Sequence, residues 1–345
     1  MKRYPILLGI ALAVVVVAPL RAGVSGSYRV INRIPLAGEG GWDYLTLDGD
    51  ARRLYISHST QVDVFDVDRS RVVGHILDTP GVHGIVLAPA LGRGFTSNGK
   101  EGAVAIFDLT TLKVLDRVKV GDNPDAILFD PATGRVFTFN GKSKDATALD
   151  AATGKVLGRV PLDGKPEFAV ADGSGMLYVN LEDQSLLVSL DSRKLVVKAR
   201  WPLATCAEPS ALAIDRQNRR LFVGCHNKLM AVVDADTGKV VATVPIGEHV
   251  DAAVFDPDTR RAFSANGDGT LTVIQEDSPE KFHLVQNVQT QLGARTVALD
   301  PVTHKFYLVT AQFGPPPAPT AEHPHPRPDI LPGTFTLVVV APTPP

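Results

Sequence analysis

The chain repeats itself, and the repeat decides what it can fold into. The stretch from Pro209 to Val250 reads in period two as four short strands, at Ala211–Asp215, Arg220–Gly224, Lys228–Asp234 and Lys239–Pro245. Gln217-Asn218 and Asp236-Thr237-Gly238 separate them with small polar residues that favour turns. One such sheet would expose two apolar faces and a free edge, so it needs neighbours. The rest of the chain supplies six more units. The first strands of the seven open at Trp42-Asp43-Tyr44, Val82-His83-Gly84, Pro124-Asp125-Ala126, Pro166-Glu167-Phe168, Pro209-Ser210-Ala211, Val250-Asp251-Ala252 and Ala294-Arg295-Thr296. The middle residues are 40, 42, 42, 43, 41 and 44 positions apart. Four strands in each period of this length are the mark of a propeller blade, and seven blades close radially.

The expected fold is therefore all-β, a seven-bladed β-propeller of four-stranded antiparallel blades. At 345 residues the length alone allows two domains, but the repeat overrides that prior. Aromatic residues make up 6% of the chain, so a recurrent Trp-Asp signature is not expected. No long helical pattern follows residue 25. The blades span roughly 40–80, 81–121, 122–164, 165–206, 207–248 and 249–292. The last unit has strands at Thr296–Asp300, Lys305–Thr310 and Thr334–Val340 and lacks a fourth. Tyr28–Leu36 resembles the fourth strands and has no blade of its own. It is expected to complete the last blade and close the ring.

The first 22 residues stand apart. Lys2-Arg3, the apolar run Ile6–Val17 and the small residues of Ala18–Ala22 read as a secretory signal peptide cleaved after Ala22, leaving a propeller over 23–345. The apolar core is shorter than the 20 or so residues of a membrane span, and no cysteine follows it to carry a lipid. No stable membrane anchor is expected after cleavage, and the protein should be periplasmic or secreted. Removing Lys2, Arg3 and Arg21 from the 35 basic residues leaves 32 against 37 acidic ones, a net charge of −5. That surface is a poor general fit to nucleic acid. In an oxidising compartment Cys206 and Cys225, on one rim of one blade, are expected to form a disulfide. Residues 313–332 form a Pro-rich insertion in the last blade, expected to be an extended loop.

The second strands share a core: Tyr55-Ile-Ser-His58, Phe95-Thr-Ser-Asn98, Phe137-Thr-Phe-Asn140, Leu177-Tyr-Val-Asn180, Phe263-Ser-Ala-Asn266 and Tyr307-Leu-Val-Thr310. This resembles the YVTN-type β-propeller repeat of YncE-like exported bacterial proteins. It departs at His58 and at Phe222-Val-Gly-Cys225. The resemblance implies a seven-bladed propeller outside the cytoplasm and no agreed reaction.

Several short motifs are set aside. Asn140-Gly-Lys-Ser143 lacks the glycine spacing of a phosphate loop, and Asp234-Ala-Asp-Thr-Gly238 lacks the downstream Glu of a calcium loop. There is no CxxCH, HExxH or GxSxG. His323 and His325, with Glu322, could join His58 or His83 in a metal site, but a His-Pro-His pair on a Pro-rich loop reads more simply as solvated.

The strongest constellation is the ring of first-strand starts: Asp43, His83, Asp125, Glu167, Ser210, Asp251 and Arg295. Equivalent positions of all blades converge on the central channel. Polar lining wetted by water is the plain reading. A lone Arg among four carboxylates favours a ligand site instead. Trp42 and Tyr44 would add an aromatic wall, and His58, Asn98, Asn140, Asn180 and Asn266 a second polar shell. His83 lies between Asp43 and Asp125 in blade order, so its pKa should rise. The leading functional expectation is a monomeric binding scaffold for a small molecule, a peptide or a cell-envelope component. The alternatives are a lactone-type hydrolase using the carboxylates and His83, or a quinoprotein-like redox accessory. No cofactor is specified beyond a divalent metal at the channel mouth.

Overall fold

The computed structural model describes residues 26–38, 40–318 and 328–343. The expected signal peptide, and Glu322, His323 and His325, lie outside the described residues. Seven four-stranded antiparallel sheets follow one another around a ring. Blade one is Trp42–Asp48, Arg53–His58, Gln61–Asp66 and Arg71–Ile76, running from channel to rim. The first strand of each blade contacts the first strand of the next, and Trp42–Asp48 meets Val297–Asp300 to complete the circle. Second and third strands are buried at nearly every position, as in Arg135–Asn140 and Asp145–Asp150. Both their faces meet a neighbouring blade, so they read as apolar runs rather than strict alternation. Fourth strands such as Val114–Lys119 face solvent.

Closure is as expected. Tyr28–Pro35 pairs antiparallel with Thr336–Pro342, with Tyr28 opposite Pro342 and Pro35 opposite Thr336. It forms the outer strand of blade seven. Tyr28 is 2% exposed and sits edge-on to Phe263 and Phe306, at 5.2 and 5.6 Å between ring centroids. The two ends of the chain are thus joined by a hydrogen-bonded ladder and a packed aromatic cluster.

A second device ties blade to blade. The residue opening a second strand reaches to the turn that follows the third strand of the next blade. Arg53 donates to the Leu109 carbonyl at 2.9 Å, Arg135 to Arg193 at 2.9 Å, and Arg220 to Pro279 at 2.7 Å. Arg93 makes the same contact with Ala152. Arg261 reaches the Gly26 carbonyl at 3.1 Å, so the latch extends across the closure. In blade four, where Met176 opens the strand, Tyr178 Oη donates to Ala235 instead, at 3.1 Å.

The structure corrects two sequence expectations. The first strand of blade seven begins at Val297, so Arg295 precedes it. In blade four the residue paired with Pro166 is Leu181, whereas Asn98, Asn140 and Asn266 pair with Val82, Pro124 and Val250. Asn180 is therefore one position out of step, and a one-residue slip turns a side chain to the opposite face of a strand. It lies where Ser57 and Ser97 lie in their blades and donates to the Ala211 carbonyl of the next blade at 3.0 Å. The Asp234–Gly238 segment is a turn: Asp234 Oδ1 accepts the N–H groups of Asp236 and Thr237. Gly238 has φ +73°, and a Cβ there would fall 2.0 Å from the Trp201 ring. Cys206 and Cys225 are disulfide-bonded, with Cα atoms 5.3 Å apart. The stem of the insertion is extended, with Phe313 bridged to Ile330 and the Gly314 N–H bound to the Asp329 carbonyl at 2.8 Å.

If closure depends on this strand, Tyr28→Ala should destabilise the fold by about 3 kcal/mol, the usual cost of removing a buried aromatic ring. Ile31→Ala, on the same strand but 47% exposed, should change it by less than about 0.5 kcal/mol. Denaturant unfolding of the two variants measures both. Equal small effects would show that the strand does not hold the ring shut.

Candidate functional site

In six blades the ladder between first and second strands loses register at the ring residue. The breaks fall between Trp42 and Leu45, Val82 and Ile85, Pro124 and Ile127, Pro166 and Ala169, Pro209 and Ala211, and Val250 and Ala252. A bulge of this kind re-aims a side chain and frees backbone groups. Serine hydroxyls take up some of those groups. Asp43 and Tyr44 N–H groups donate to Ser57 Oγ at 3.1 and 2.8 Å, and the Gly84 N–H donates to Ser97 Oγ at 2.8 Å. Ser97 in turn donates to the Asp125 carbonyl of the next blade. The bulges turn the ring residues toward the channel, and these bonds hold two of the bulges in shape.

All seven ring residues line one cavity of about 480 Å³ at the channel mouth. His83 Nδ1 lies 2.6 Å from Asp43 Oδ2 and 3.7 Å from Asp125 Oδ1. Arg295 Nε is bound to Asp251 Oδ2 at 2.7 Å. Lys165 Nζ is 3.0 Å from Glu167 Oε2 and also bonds Glu182. Ser210 is 2% exposed and donates its hydroxyl proton to the Val250 carbonyl at 2.6 Å, so it braces the ring rather than presenting a free hydroxyl. The floor is aromatic. Tyr44 of blade one stacks on Phe168 of blade four, with centroids 5.3 Å apart and planes 13° from parallel. Beyond them the channel widens into a space of about 780 Å³ whose walls include Leu47, Leu87, Phe129, Val170, Ile214 and Phe255. Thr46, Asp48, Asp50 and Arg216 also line this space, so its walls mix polar residues with a larger apolar share.

The charges at the mouth perturb one another. Burial and the neighbouring Asp43 push Asp125 up to about 7, against the pull of His83. Burial, with Asp125 and Glu182 nearby, pushes Glu167 up to about 8, and Lys165 offsets only part of this. Asp251 is raised by burial and Asp43 and restrained by Arg295. Burial favours the neutral ring of His83. The Asp43 hydrogen bond and the charges of Asp125, Asp43 and Glu167 outweigh it and push His83 up to about 9. Near neutral pH the mouth thus retains protons that isolated carboxyl groups would release. Ligand atoms of Asp43, His83 and Asp125 lie within 4.8 Å of one another, a spacing that suits a metal ion replacing the proton on His83.

The expected second polar shell does not reach this mouth. His58 is 2% exposed, bonded to Asp63 at 2.9 Å and packed on the Phe335 ring at 4.3 Å. Asn140 donates to Asp145 at 2.6 Å and Thr147 at 3.0 Å, and Asn266 to Thr270 and Thr272, both at 3.0 Å. Asn98 accepts from the Thr96 hydroxyl at 3.1 Å. All are buried, and these hydrogen bonds stay within their own blades. Lys165 and Phe168, which flank Glu167, and Lys100, in the turn after Asn98, are the contributors that the sequence reading missed. Lys165 stands two residues from Glu167, on the same face of the chain, and that spacing was the available signal.

Trp42 does form a wall, but it is shared. It is 6% exposed, packs on Phe335 and Phe313 at 5.6 and 6.1 Å, and lies 5.9 Å from the Arg295 guanidinium. On its other side runs a second cavity of about 630 Å³, lined by Val250, Leu292, Phe313 and Ile330 together with His226 and His249. Gly41, Trp42, Asp251 and Arg295 border both spaces. The disulfide lies on this rim, because His226 directly follows Cys225.

No protein-family model matches the chain. No curated protein matches it in sequence. Solved structures do match in fold. A chain of the crystal structure of the mitotic checkpoint complex superposes with a TM-score of 0.74 at 14% identity, covering 98% of both chains. Kuenenia stuttgartiensis hydrazine synthase gives 0.67 at 15% identity over 79% of this chain and 94% of its own. U3-55K gives 0.74 at 9% identity over 92% and 100%. Identities this low establish the architecture alone: the chain is a seven-bladed β-propeller protein.

The raised pKa values carry a sign that can be tested. Asp125 and Glu167 hold protons in the folded state up to about 7 and 8, where the unfolded chain releases them near pH 4. The pairing of His83 is fully present below its ordinary pKa and is lost as pH rises through about 9. All three make stability fall with rising pH. Thermal melts at low salt should show Tm declining from about pH 5 to 9, and Asp125→Asn/Glu167→Gln should flatten the decline. A parent Tm that rises over this range would mean that the ring is fully ionised and paired.

Proposed function

We propose that the protein is an exported propeller of the YVTN type that binds a small cationic ligand, an ammonium group in the first instance, at its channel mouth. The observation that carries this is the imbalance of the ring. Four carboxyl groups share one cavity with His83 and Arg295, and two of them keep protons near neutral pH. A bound cation relieves the repulsion that those protons now relieve. The propeller offers the site on one face of a rigid ring, which suits a binding module for a small molecule, a peptide end or a cell-envelope component. A divalent metal is the second reading, favoured by the spacing of Asp43, His83 and Asp125.

Export is supported by the apolar run Ile6–Val17 and by the Cys206–Cys225 bridge. Among the described residues no helix is long and apolar enough to cross a membrane. The bridge closes a loop with a sequence separation of 19. Cys206→Ser/Cys225→Ser should therefore lose about 3 kcal/mol in denaturant unfolding. Mass spectrometry of periplasmic material under non-reducing conditions should find no free thiol. Two free thiols there would reject the bridge.

A thermal-shift screen tests the ligand. Ethylammonium, Mg²⁺, Ca²⁺, Mn²⁺ and Zn²⁺ are compared on the parent and on Asp125→Asn/Glu167→Gln. A true ligand at one hundred times its Kd stabilises by about 2.7 kcal/mol, and the double variant should lose that gain. The reading fails if no cation shifts the parent, or if both proteins shift equally.

A further inference from the structure

Three features outside the ring invite a role. One is a buried carboxylate between two histidines: Asp63 meets His58 Nδ1 at 2.9 Å and His75 Nδ1 at 2.8 Å. Its bonds close on themselves within blade one. Another is the buried acid Glu276, pushed up to about 7 by burial and by Asp215. It belongs to the packing between blades. The third is the groove beside the mouth, and it leads further.

The mouth and the groove are two chambers of opposite character with a common wall. On one side are Asp43, Asp125 and Glu167; on the other are Val250, Phe313 and Ile330, with His226 and His249 beside them. Arg295 borders both chambers. Its Nε is bound to Asp251, while neither Nη group donates a hydrogen bond to a described residue. A guanidinium held at Nε and free at its outer fork is oriented to receive a carboxylate through Nη. The Trp42 ring beneath it completes a platform on which an apolar group can lie.

We infer that the mouth and groove together form one site for a free α-amino acid with an apolar side chain. The ammonium group enters the carboxylate ring, the carboxylate meets Arg295, and the side chain crosses Trp42 into the groove. No single chamber accounts for all three parts. The ring alone suits any small cation, but it does not explain a free arginine fork at its edge. The groove alone suits any apolar group, but it does not explain the charges at one end. A zwitterion carrying an apolar branch matches the order in which the surfaces occur: negative, positive, apolar. This rests on the cation-binding reading of the mouth and narrows it to one chemical class.

Calorimetric titration of the full chain separates the two levels. The probes are leucine, leucinamide, isoamylamine, N-acetylleucine, Leu-Gly-Gly and ethylammonium. Leucine should bind at least tenfold more tightly than leucinamide or isoamylamine, which lack the carboxylate, and N-acetylleucine should not bind. Leu-Gly-Gly, whose carboxylate is displaced, should be as weak as leucinamide. Arg295→Gln should lower leucine affinity at least tenfold without lowering that of isoamylamine. Ile330→Ser, in the apolar wall of the groove, should weaken leucine and isoamylamine alike and spare ethylammonium. The inference is overturned if leucine binds no better than isoamylamine, if the tripeptide matches leucine, or if Arg295→Gln weakens every probe equally. In those outcomes ethylammonium binding would still stand for the mouth. Loss of ethylammonium and metal binding in the parent, with no binding of leucine, would instead remove the underlying reading. A thermal melt of each variant confirms that a lost ligand is not a lost fold.

Discussion

Everything in this protein depends on burying both faces of a four-stranded sheet. A single blade cannot do so, and a row of blades leaves two raw ends. Closing the row into a ring removes the ends, provided that the last joint is as strong as the others. Here that joint is a hydrogen-bonded ladder between Tyr28–Pro35 and Thr336–Pro342, reinforced by Tyr28 among Phe263 and Phe306. Because the joint uses both ends of the chain, the ring cannot open without breaking contacts some three hundred residues apart in sequence. The arginine latches act at the same joints from the outside. Each satisfies a carbonyl of the neighbouring blade, so blades are positioned by directional bonds as well as by apolar contact.

That rigidity makes the mouth possible. Bringing four carboxyl groups into one small cavity is unfavourable, and a flexible scaffold would let them separate into water. The bulges that aim them are held, in blades one and two, by serine hydroxyls and by bonds to the next blade. The ring relieves its own repulsion by keeping protons on Asp125 and Glu167 and by pairing His83, Arg295 and Lys165 with acids. The aromatic floor of Tyr44 on Phe168 closes the mouth from below, and its low polarity strengthens these interactions. A site of this kind loses stability as pH rises, because ionising these groups restores the repulsion.

Much of this is legible in the sequence alone. The repeat spacing identified the seven blades, and the surplus strand at the N-terminus identified the closure. The ring residues were legible because a propeller places equivalent positions around one axis, so an alignment of repeats is also a map of the channel. The second-strand ends misled for a physical reason. Asn98, Asn140 and Asn266 mark the right end of each blade, but period two does not say which residue of a pair faces the opening. Asn180 shows how sharp that ambiguity is, since one position separates it from its supposed equivalents.

What the sequence by itself determined is local and periodic: strands, turns, the blade count, the identity of the ring and the proximity of Cys206 to Cys225. These follow from hydrophobic period, turn chemistry and repetition, which are properties of neighbouring residues. What only the tertiary structure decided is how residues from different blades share space. Asp43, His83 and Asp125 are separated by some forty residues at each step, and their mutual pKa shifts depend on distances of a few ångströms that no spacing encodes. The second cavity beside Trp42, the free fork of Arg295 and the burial of His58 likewise arise only when the ring has closed. Charge and packing act through space, and the space between blades exists only in the folded ring.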